Sequence, residues 1–496
     1  MSKTMHDLLV EERLTFRDVE GRPHVTTLPG ILAALSAERV GDFPRVRAHQ
    51  FHSWCMFLTQ LAFLGLQRAN LDEPPTEPEA WTRLLRALAP SAPGAFALVV
   101  EALDEPAFMQ APVPKVDIEG WESHKHPDDL DMLVTSKNHD VKMSVMDPRD
   151  AEAWTYSLVQ LQTAQGYLGP GNYGITRMNG GFGSRPRVGL SPSNAPGPRF
   201  RRDLRALASA AGGSADVGLV PDGHVLLWLE PWDGVRALDI GEVSPGFIEI
   251  CRRIRLCDQG GYLCARYTGS KSQRLAGTSK GNVGDPWIPV DVAHAAALTL
   301  SEGGFGYAKL SEILVGQDYK PAPAQAPLPG DPPAMLLMAS CLVRGQGKTQ
   351  GLHERIIPLS PAVTRRLGMQ ESRDELGKRS RRFIDDAKTV RTKILFPALK
   401  KVWPAGSDLP PDGFDARVDG MFFESLLGGI EAPIDIAKAQ WRAALIELAS
   451  EILEAAIASS PLPDARRYRC IAEATGLFAG LVRKHEFPET KVEVQA

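Results

Sequence analysis

A change of texture near Ser360 constrains the fold more than any other feature of the sequence. Upstream, apolar runs such as 217–220, 225–229 and 335–343 are short and broken by glycine, proline and other turn residues. Between them, His49 to Leu66, Pro78 to Leu88 and Ala151 to Gln165 repeat apolar residues at spacings of three and four, the period of a helix. Downstream the periodic stretches lengthen, and candidate helices run over Arg373–Trp403, Phe414–Leu427, Ile434–Ser459 and Asp464–His485. Each break between them has a cause. Pro404 and Gly406 stop the first, Gly428 and Gly429 end the second, Pro433 precedes the third, and Pro461 and Pro463 separate the third from the fourth. Ala437, Trp441, Leu445, Leu448 and Ile452 form a broad apolar stripe on the third, suited to burial against other helices. The expected fold class is therefore α+β: a large mixed α/β N-terminal domain with many loops over residues 1–360, followed by a C-terminal four-helix bundle over 361–496. The Pro/Ala segment Pro321–Pro333 is expected to cross the surface as a polyproline-like spacer.

A chain of 496 residues has room for two or three domains and a sizeable core. Its net charge of −4 excludes a bulk positive field, so any nucleic-acid binding must come from local patches. The six cysteines are sparse and form no C-x-x-C pair, which is not the spacing of a disulfide framework. Residues 1–13 do not read as a signal peptide, and no run of 18 uncharged apolar residues occurs. The expected location is cytoplasmic, without membrane association.

The segment richest in binding features is Gly166–Leu190, which holds eight glycines interleaved with Arg177, Arg185 and Arg187. Arg199, Arg201, Arg202 and Arg205 follow, so seven arginines face one acid, Asp203, between positions 177 and 205. Glycine lets backbone approach a ligand closely, and exposed N–H groups beside arginines suit phosphate or groove binding. The bland alternative is a cluster of tight turns with solvated arginines. A second basic segment, Arg252–Lys280, ends in the polar turn Tyr267–Arg274 around Lys271, and composition alone favours a solvated face there. From Arg373 to Lys401, ten basic residues against four acids could make a basic helix face for sequence-independent phosphate contacts, with Arg381, Arg382 and Lys393 among the candidates. The polar stretch Thr135–Lys142 reads as a long exposed loop.

Motifs for catalysis are weak. Arg344–Gly351 follows a strand-like run and contains Gly-Lys-Thr, but the pattern G-x-x-x-x-G-K-S/T needs glycine at 342, where the chain has Leu342. A nucleotide-binding enzyme built on Gly345–Thr349 is thus an alternative reading; a polar loop presenting Gln346, Lys348 and Gln350 into a groove is favoured. His124 and His126 lie beside Asp128, Asp129 and Asp131, and a surface acidic turn is expected rather than a metal site. Cys251, Cys257 and Cys264 lack a fourth partner and are expected to be core or incidental thiols.

Taken in order, Asp104–Gln110, Lys137–Asp140, the glycines of 169–183, Arg266–Gly269 and Arg344–Arg355 resemble the CasA family, the large subunit of the type I-E CRISPR surveillance complex Cascade. The resemblance implies a non-catalytic subunit that recognises the protospacer-adjacent motif (PAM) in double-stranded target DNA. By position, the minor-groove loop falls on Gly169, Gly171, Asn172, Tyr173 and Gly174 with Asn179 and Gly180, and the groove lysine on Lys271. The duplex wedge falls on Gln346, Gly347, Lys348, Gln350 and Gly351, with either glutamine as its tip. Lys137, Asn138, His139 and Lys142 fall in the loop that meets guide RNA and the complex core, and Arg177, Arg185, Arg381, Arg382 and Lys393 are candidate contacts to the DNA backbone. Implied partners are guide RNA (crRNA), target duplex, the backbone, small and guide-processing Cascade subunits, and a helicase-nuclease; no cofactor is implied. Some family members carry zinc-binding C-x-x-C pairs, which this sequence lacks, so no structural zinc is expected. A scaffold subunit without DNA contact is the remaining alternative.

Overall fold

The computed structural model describes residues 4–114, 118–133, 146–181, 183–211, 218–276, 280–345, 348–403, 413–430, 432–460, 462 and 464–488. The chain divides into two compact units, residues 1–305 with 318–358, and residues 306–317 with 359–496.

In the first unit, helices α1 (Leu28–Ser36), α2 (Ala48–Ala69), α3 (Pro78–Leu88), α4 (Ala151–Ala164) and α5 (Pro196–Ala211) surround a common core. Three of these match the periodic stretches of the sequence within a few residues. α2 is buried on nearly every side from His49 to Leu66, which explains why its apolar residues cover more than one face. Trp54, Phe57, Phe108 and Trp228 make a chain of ring contacts through the core, with centroids 5.7–6.1 Å apart.

Strands are short and gather into small sheets of two or three. The longest pair is a hairpin of Met335–Gly345 and Lys348–Leu359, whose first strand also pairs antiparallel with Arg187–Ser191, Ser340 facing Arg187. A second hairpin joins Arg253–Asp258 to Leu263–Thr268 through Gly260 and Gly261, with Glu122–His124 added at its edge. Both glycines have positive φ, +68° and +91°, as a tight hairpin turn requires.

Three expectations need correction here. Pro321–Pro333 is no surface spacer: Ala322, Ala324 and Gln325 are buried, and Arg202 donates to the carbonyls of Ala324 and Ala326. The acidic turn is not a surface feature, because Arg47 reaches Asp128 at 2.7 Å and Asp131 at 3.0 Å while His49 meets Asp131 at 2.7 Å. Finally, the division of the chain is not a single cut: helix α6 (Tyr307–Val315), in sequence part of the first region, belongs to the second unit.

The second unit is helical. α7 (Pro361–Leu367) leads into α8 (Gln370–Thr389), which continues through a wide π-type turn, Val390–Leu395, into α9 (Phe396–Val402). Pro397 sits just after the wide turn; a proline there cannot donate to the helix ladder and crowds the preceding carbonyls, which the looser turn accommodates. α10 (Phe414–Gly428), α11 (Ile434–Ala458) and α12 (Asp464–Lys484) complete the four long segments expected from the sequence. Their centre is Trp441, stacked on Phe383 at 5.0 Å, edge-on to Phe422 at 5.8 Å, and donating from Nε1 to the Phe383 carbonyl at 3.0 Å. Trp441→Ala should destabilise this unit by about 3–5 kcal/mol through the cavity and the lost hydrogen bond. A drop in the unfolding midpoint, followed by circular dichroism, would register it.

Candidate nucleic-acid interface

α4 ends at Ala164, and the chain then closes a glycine loop on itself. Ile175 N–H donates to the Gln165 carbonyl at 2.9 Å, and Gly166 N–H to Gly183 at 3.1 Å. This neck has no room for side chains: a Cβ on Gly174 would lie 2.4 Å from the Gly166 carbonyl carbon, and one on Gly166 would lie 2.4 Å from the Gly181 oxygen. Beyond the neck, Leu168 N–H donates to Asn172 and Asn172 N–H to Gly169, both at 3.0 Å, in a tight turn that puts Gly169 and Gly171 at φ +119° and +84°.

Lys271 is brought to this loop by the end of the strand Leu263–Thr268. Ser270 N–H donates to the Gly171 carbonyl at 3.0 Å, and a Cβ on Gly269 would come within 3.2 Å of the same oxygen. Lys271 is anchored through its own N–H to Gly234 at 2.6 Å, and its side chain is exposed. From beneath, Tyr267 Oη donates to Asn172 Oδ1 and Arg252 donates to the Tyr173 carbonyl. Arg252 is buried and also donates to Cys251 O at 3.0 Å, so one guanidinium ties the loop to the chain that enters the strand Arg253–Asp258.

The long hairpin joins the same place. Ser184 N–H donates to Leu342 O at 2.8 Å, and Leu342 N–H donates back to Ser184 Oγ at 2.8 Å. Ser184 follows Gly183, which receives the neck bond from Gly166, so the glycine loop and the hairpin share a base. Towards the tip, Thr349 Oγ1 donates to Leu133 O at 2.9 Å, Gln350 Nε2 lies 3.4 Å from Glu302 Oε2, and Gly351 has φ +136°. Gln346 and Gly347 lie outside the described residues, as do Lys137, Asn138, His139 and Lys142, and the side chain of Lys348. Asn179 and Gly180 form an exposed turn, with Gly180 at φ +61°, packed on Gly281.

Three sequence-distant segments singled out for DNA binding are thus brought together: the glycine loop, the Lys271 turn and the base of the hairpin. Two candidate phosphate contacts are not. Arg177 and Arg185 are buried around Asp285, which meets Arg185 at 2.6 Å and Arg177 at 3.4 Å, while Arg177 covers the Phe247 ring at 4.0 Å. Both are buried in the interior, which corrects the expectation that they contact DNA. Burial brings the Arg185 guanidinium down to about 10, which leaves it charged at neutral pH. In the second unit the other candidates for the DNA backbone, Arg381, Arg382 and Lys393, are all exposed, as phosphate contacts require. The residues after Thr349 continue as strand to Leu359, where a phosphate-cradling loop would need a helix, so the nucleotide-binding alternative loses its geometric basis. Among the described residues no group of three or more His, Cys, Asp or Glu could hold a metal, and no helix is long and apolar enough to cross a membrane.

No family model and no curated protein sequence matches the chain. Solved structures do. Cse1 from Acidimicrobium ferrooxidans aligns with a TM-score of 0.64 at 14% identity over 99% of both chains. CasA from Thermus thermophilus aligns at 0.62 with 15% identity over 97% of this chain and 100% of that one. The chain has the Cse1 (CasA) fold. Cse1 from Thermobifida fusca gives 0.64 at 12% identity over 97% and 98%, and a chain of a CRISPR RNA-guided surveillance complex gives 0.55 at 12% over 96% and 100%. The alignments cover nearly the whole chain, so they take in both the loop-rich unit and the helical unit.

Sequence reading missed the part played by Arg252, which it counted only as one charge in a basic run. The available signal was its setting: it directly follows the apolar pair Ile250–Cys251, an unfavourable place for a solvated arginine. Arg252→Met should remove charged hydrogen bonds to the loop, each worth about 1.5–3 kcal/mol. Amide exchange at Asn172 and Ile175 should then quicken roughly 10–100-fold, with the amides of α2 unchanged, as read by hydrogen–deuterium exchange.

Proposed function

We propose that this chain is the non-catalytic large subunit of a type I-E CRISPR Cascade complex, that it recognises the PAM in double-stranded target DNA, and that it opens the duplex beside it. The observation that carries this reading is the convergence of the glycine loop, Lys271 and the base of the hairpin in one place. A backbone-lined turn with an adjacent exposed lysine suits the minor groove, where bases offer few distinguishing groups and close approach matters more than long side chains. The hairpin tip, with Gln346 and Gln350, is the wedge. Unstacking a base step costs a few kcal/mol, which contacts to the DNA backbone must offset. Arg381, Arg382 and Lys393 of the second unit supply some of those contacts. Guide RNA pairing then reads the target sequence, as in other RNA-guided systems. In this reading the loop containing Lys137, Asn138, His139 and Lys142 meets the guide RNA end and the core of the complex. The backbone, small and guide-processing subunits are its neighbours in a cytoplasmic ribonucleoprotein, and a helicase-nuclease is recruited once the duplex is open.

The test uses the assembled complex with Lys271→Ala in one version and Gln346→Ala with Gln350→Ala in another. Lys271→Ala should weaken binding to a duplex carrying the motif by about tenfold, the scale of one lost groove contact. Binding to a single-stranded target complementary to the guide should be unchanged. The double glutamine variant should still engage the motif but open the duplex more slowly, seen as a delayed signal from a fluorescent base analogue next to the motif. Unaltered duplex binding and opening in both would refute the assignment. ATP hydrolysis by the purified chain would favour the enzyme reading instead.

A further inference from the structure

Inside the first unit, α2, the first turn of α5 and the edge strand Arg187–Ser191 line a partly open cavity of about 20 Å³. A void of that size takes one particle about as large as water. Its polar lining is Cys55, Thr59, Arg187, Asn194 and Arg199. Arg187 and Arg199 are only 1% and 6% exposed.

The charges around this void do not balance. Arg187 pairs with Asp203 at 2.8 Å, and the same carboxylate oxygen accepts the Trp287 indole N–H at 2.9 Å. Arg187 Nε and Nη1 have no well-aligned hydrogen-bond partner among the described residues, although the side chain also interacts with the Cys55 thiol. Arg199 is less well served: Nη1 points at the Met338 sulfur at 3.4 Å, a weak acceptor, while Nε and Nη2 have no partner among the described residues. Buried guanidinium groups are ordinarily paired, because a bare charge in the interior is costly. Asp203 is the buried carboxylate that acts on Arg199, and its Oδ1 also lacks a hydrogen-bond partner among the described residues. Burial pushes the Cys55 thiol up, so it stays neutral, and burial pushes His52 down to about 3, so it adds no positive charge. Arg202 is occupied by Asp331 and two carbonyls, and Glu354, which senses the Arg199 charge, is itself exposed. Burial, followed by the charge of Arg187, brings Arg199 down to about 9, so it remains protonated at neutral pH. Two cations thus share one carboxylate, at the N-terminal end of a 16-residue helix whose dipole adds further positive potential.

We propose that this cavity binds a single monatomic anion, chloride, held between the free N–H groups of Arg187 and Arg199. A water would fill the space but leave the charge uncompensated, and a void of about 20 Å³ matches a single small anion. The site is remote in role from DNA recognition. It neutralises the interior where α5 packs on α2.

The experiment follows thermal unfolding of the full chain in sodium chloride and in sodium gluconate at one fixed ionic strength, gluconate being too bulky to enter. The midpoint should rise about 1–2 °C for each tenfold increase in chloride replacing gluconate. In Arg199→Met, which removes the excess charge, the dependence should vanish. A crystal of the unaltered chain grown with bromide should show an anomalous peak between the two guanidinium groups. Equal midpoints in both salts, an undiminished chloride response in Arg199→Met, or no bromide peak would overturn the proposal and assign the void to water. Should Arg199→Met fail to fold, the salt comparison and the bromide peak on the unaltered chain decide the matter.

Discussion

The loop-rich unit depends on buried guanidinium groups that donate to backbone carbonyls. A chain so interrupted by glycine and proline leaves many interior carbonyls without a partner in a helix or sheet, and each such group is costly to bury bare. Arginine side chains take over the task. Arg255 reaches the carbonyls of Glu105, Val100 and Ala102, Arg274 those of Leu227, Glu230 and Pro231, and Arg202 those of Ala324 and Ala326. Buried glutamines do the same on a smaller scale. Gln162 donates to Met109 O and Arg252 O while accepting from the N–H groups of Cys251 and Arg252, and Gln110 links Leu98 and Phe108 to Leu256. A side chain with several donors in a fixed fork can hold several irregular segments at once. That is how a unit with only small sheets positions its loops.

This constraint explains how much of the interface was legible in the sequence. The helices could be read because their period and their breakers are local properties: Pro433 before α11 and Gly428 at the end of α10 act within a few residues. The glycines of 166–174 were legible for the same reason. Which arginines face solvent was not legible, because an arginine's burial depends on an acid or carbonyl far away in sequence. Arg185 meets an acid 100 residues on, at Asp285, and nothing near position 185 announces it. A dense run of basic residues therefore looked like a phosphate surface when much of it was scaffold. The membership of α6 in the helical unit escaped notice similarly, since nine residues carry no mark of which core they join.

The meeting of the glycine loop with the hairpin belongs to the same class of long-range fact. It rests on the reciprocal bonds of Ser184 with Leu342, 158 residues away. Local reading could nominate both segments but could not place them side by side without the resemblance to a family. The low identity to proteins of the same fold, 12–15%, fits this picture. A fold held by fork-shaped side chains gripping main-chain oxygens asks for donors in the right places and tolerates wide change in the residues that supply the oxygens.

The neck of the glycine loop carries a consequence for engineering. Gly166 and Gly174 pass so close that neither can carry a Cβ, while Leu168 and the turn beyond lie partly in solvent. The loop is thus a cassette between two fixed posts. Residues 168–170 can be exchanged within the turn without touching either post, whereas Gly171, Asn172 and Tyr173 are tied to Ser270, Tyr267 and Arg252. Widening a post would instead displace Ser184 and the hairpin together, and the change would be felt across the whole surface.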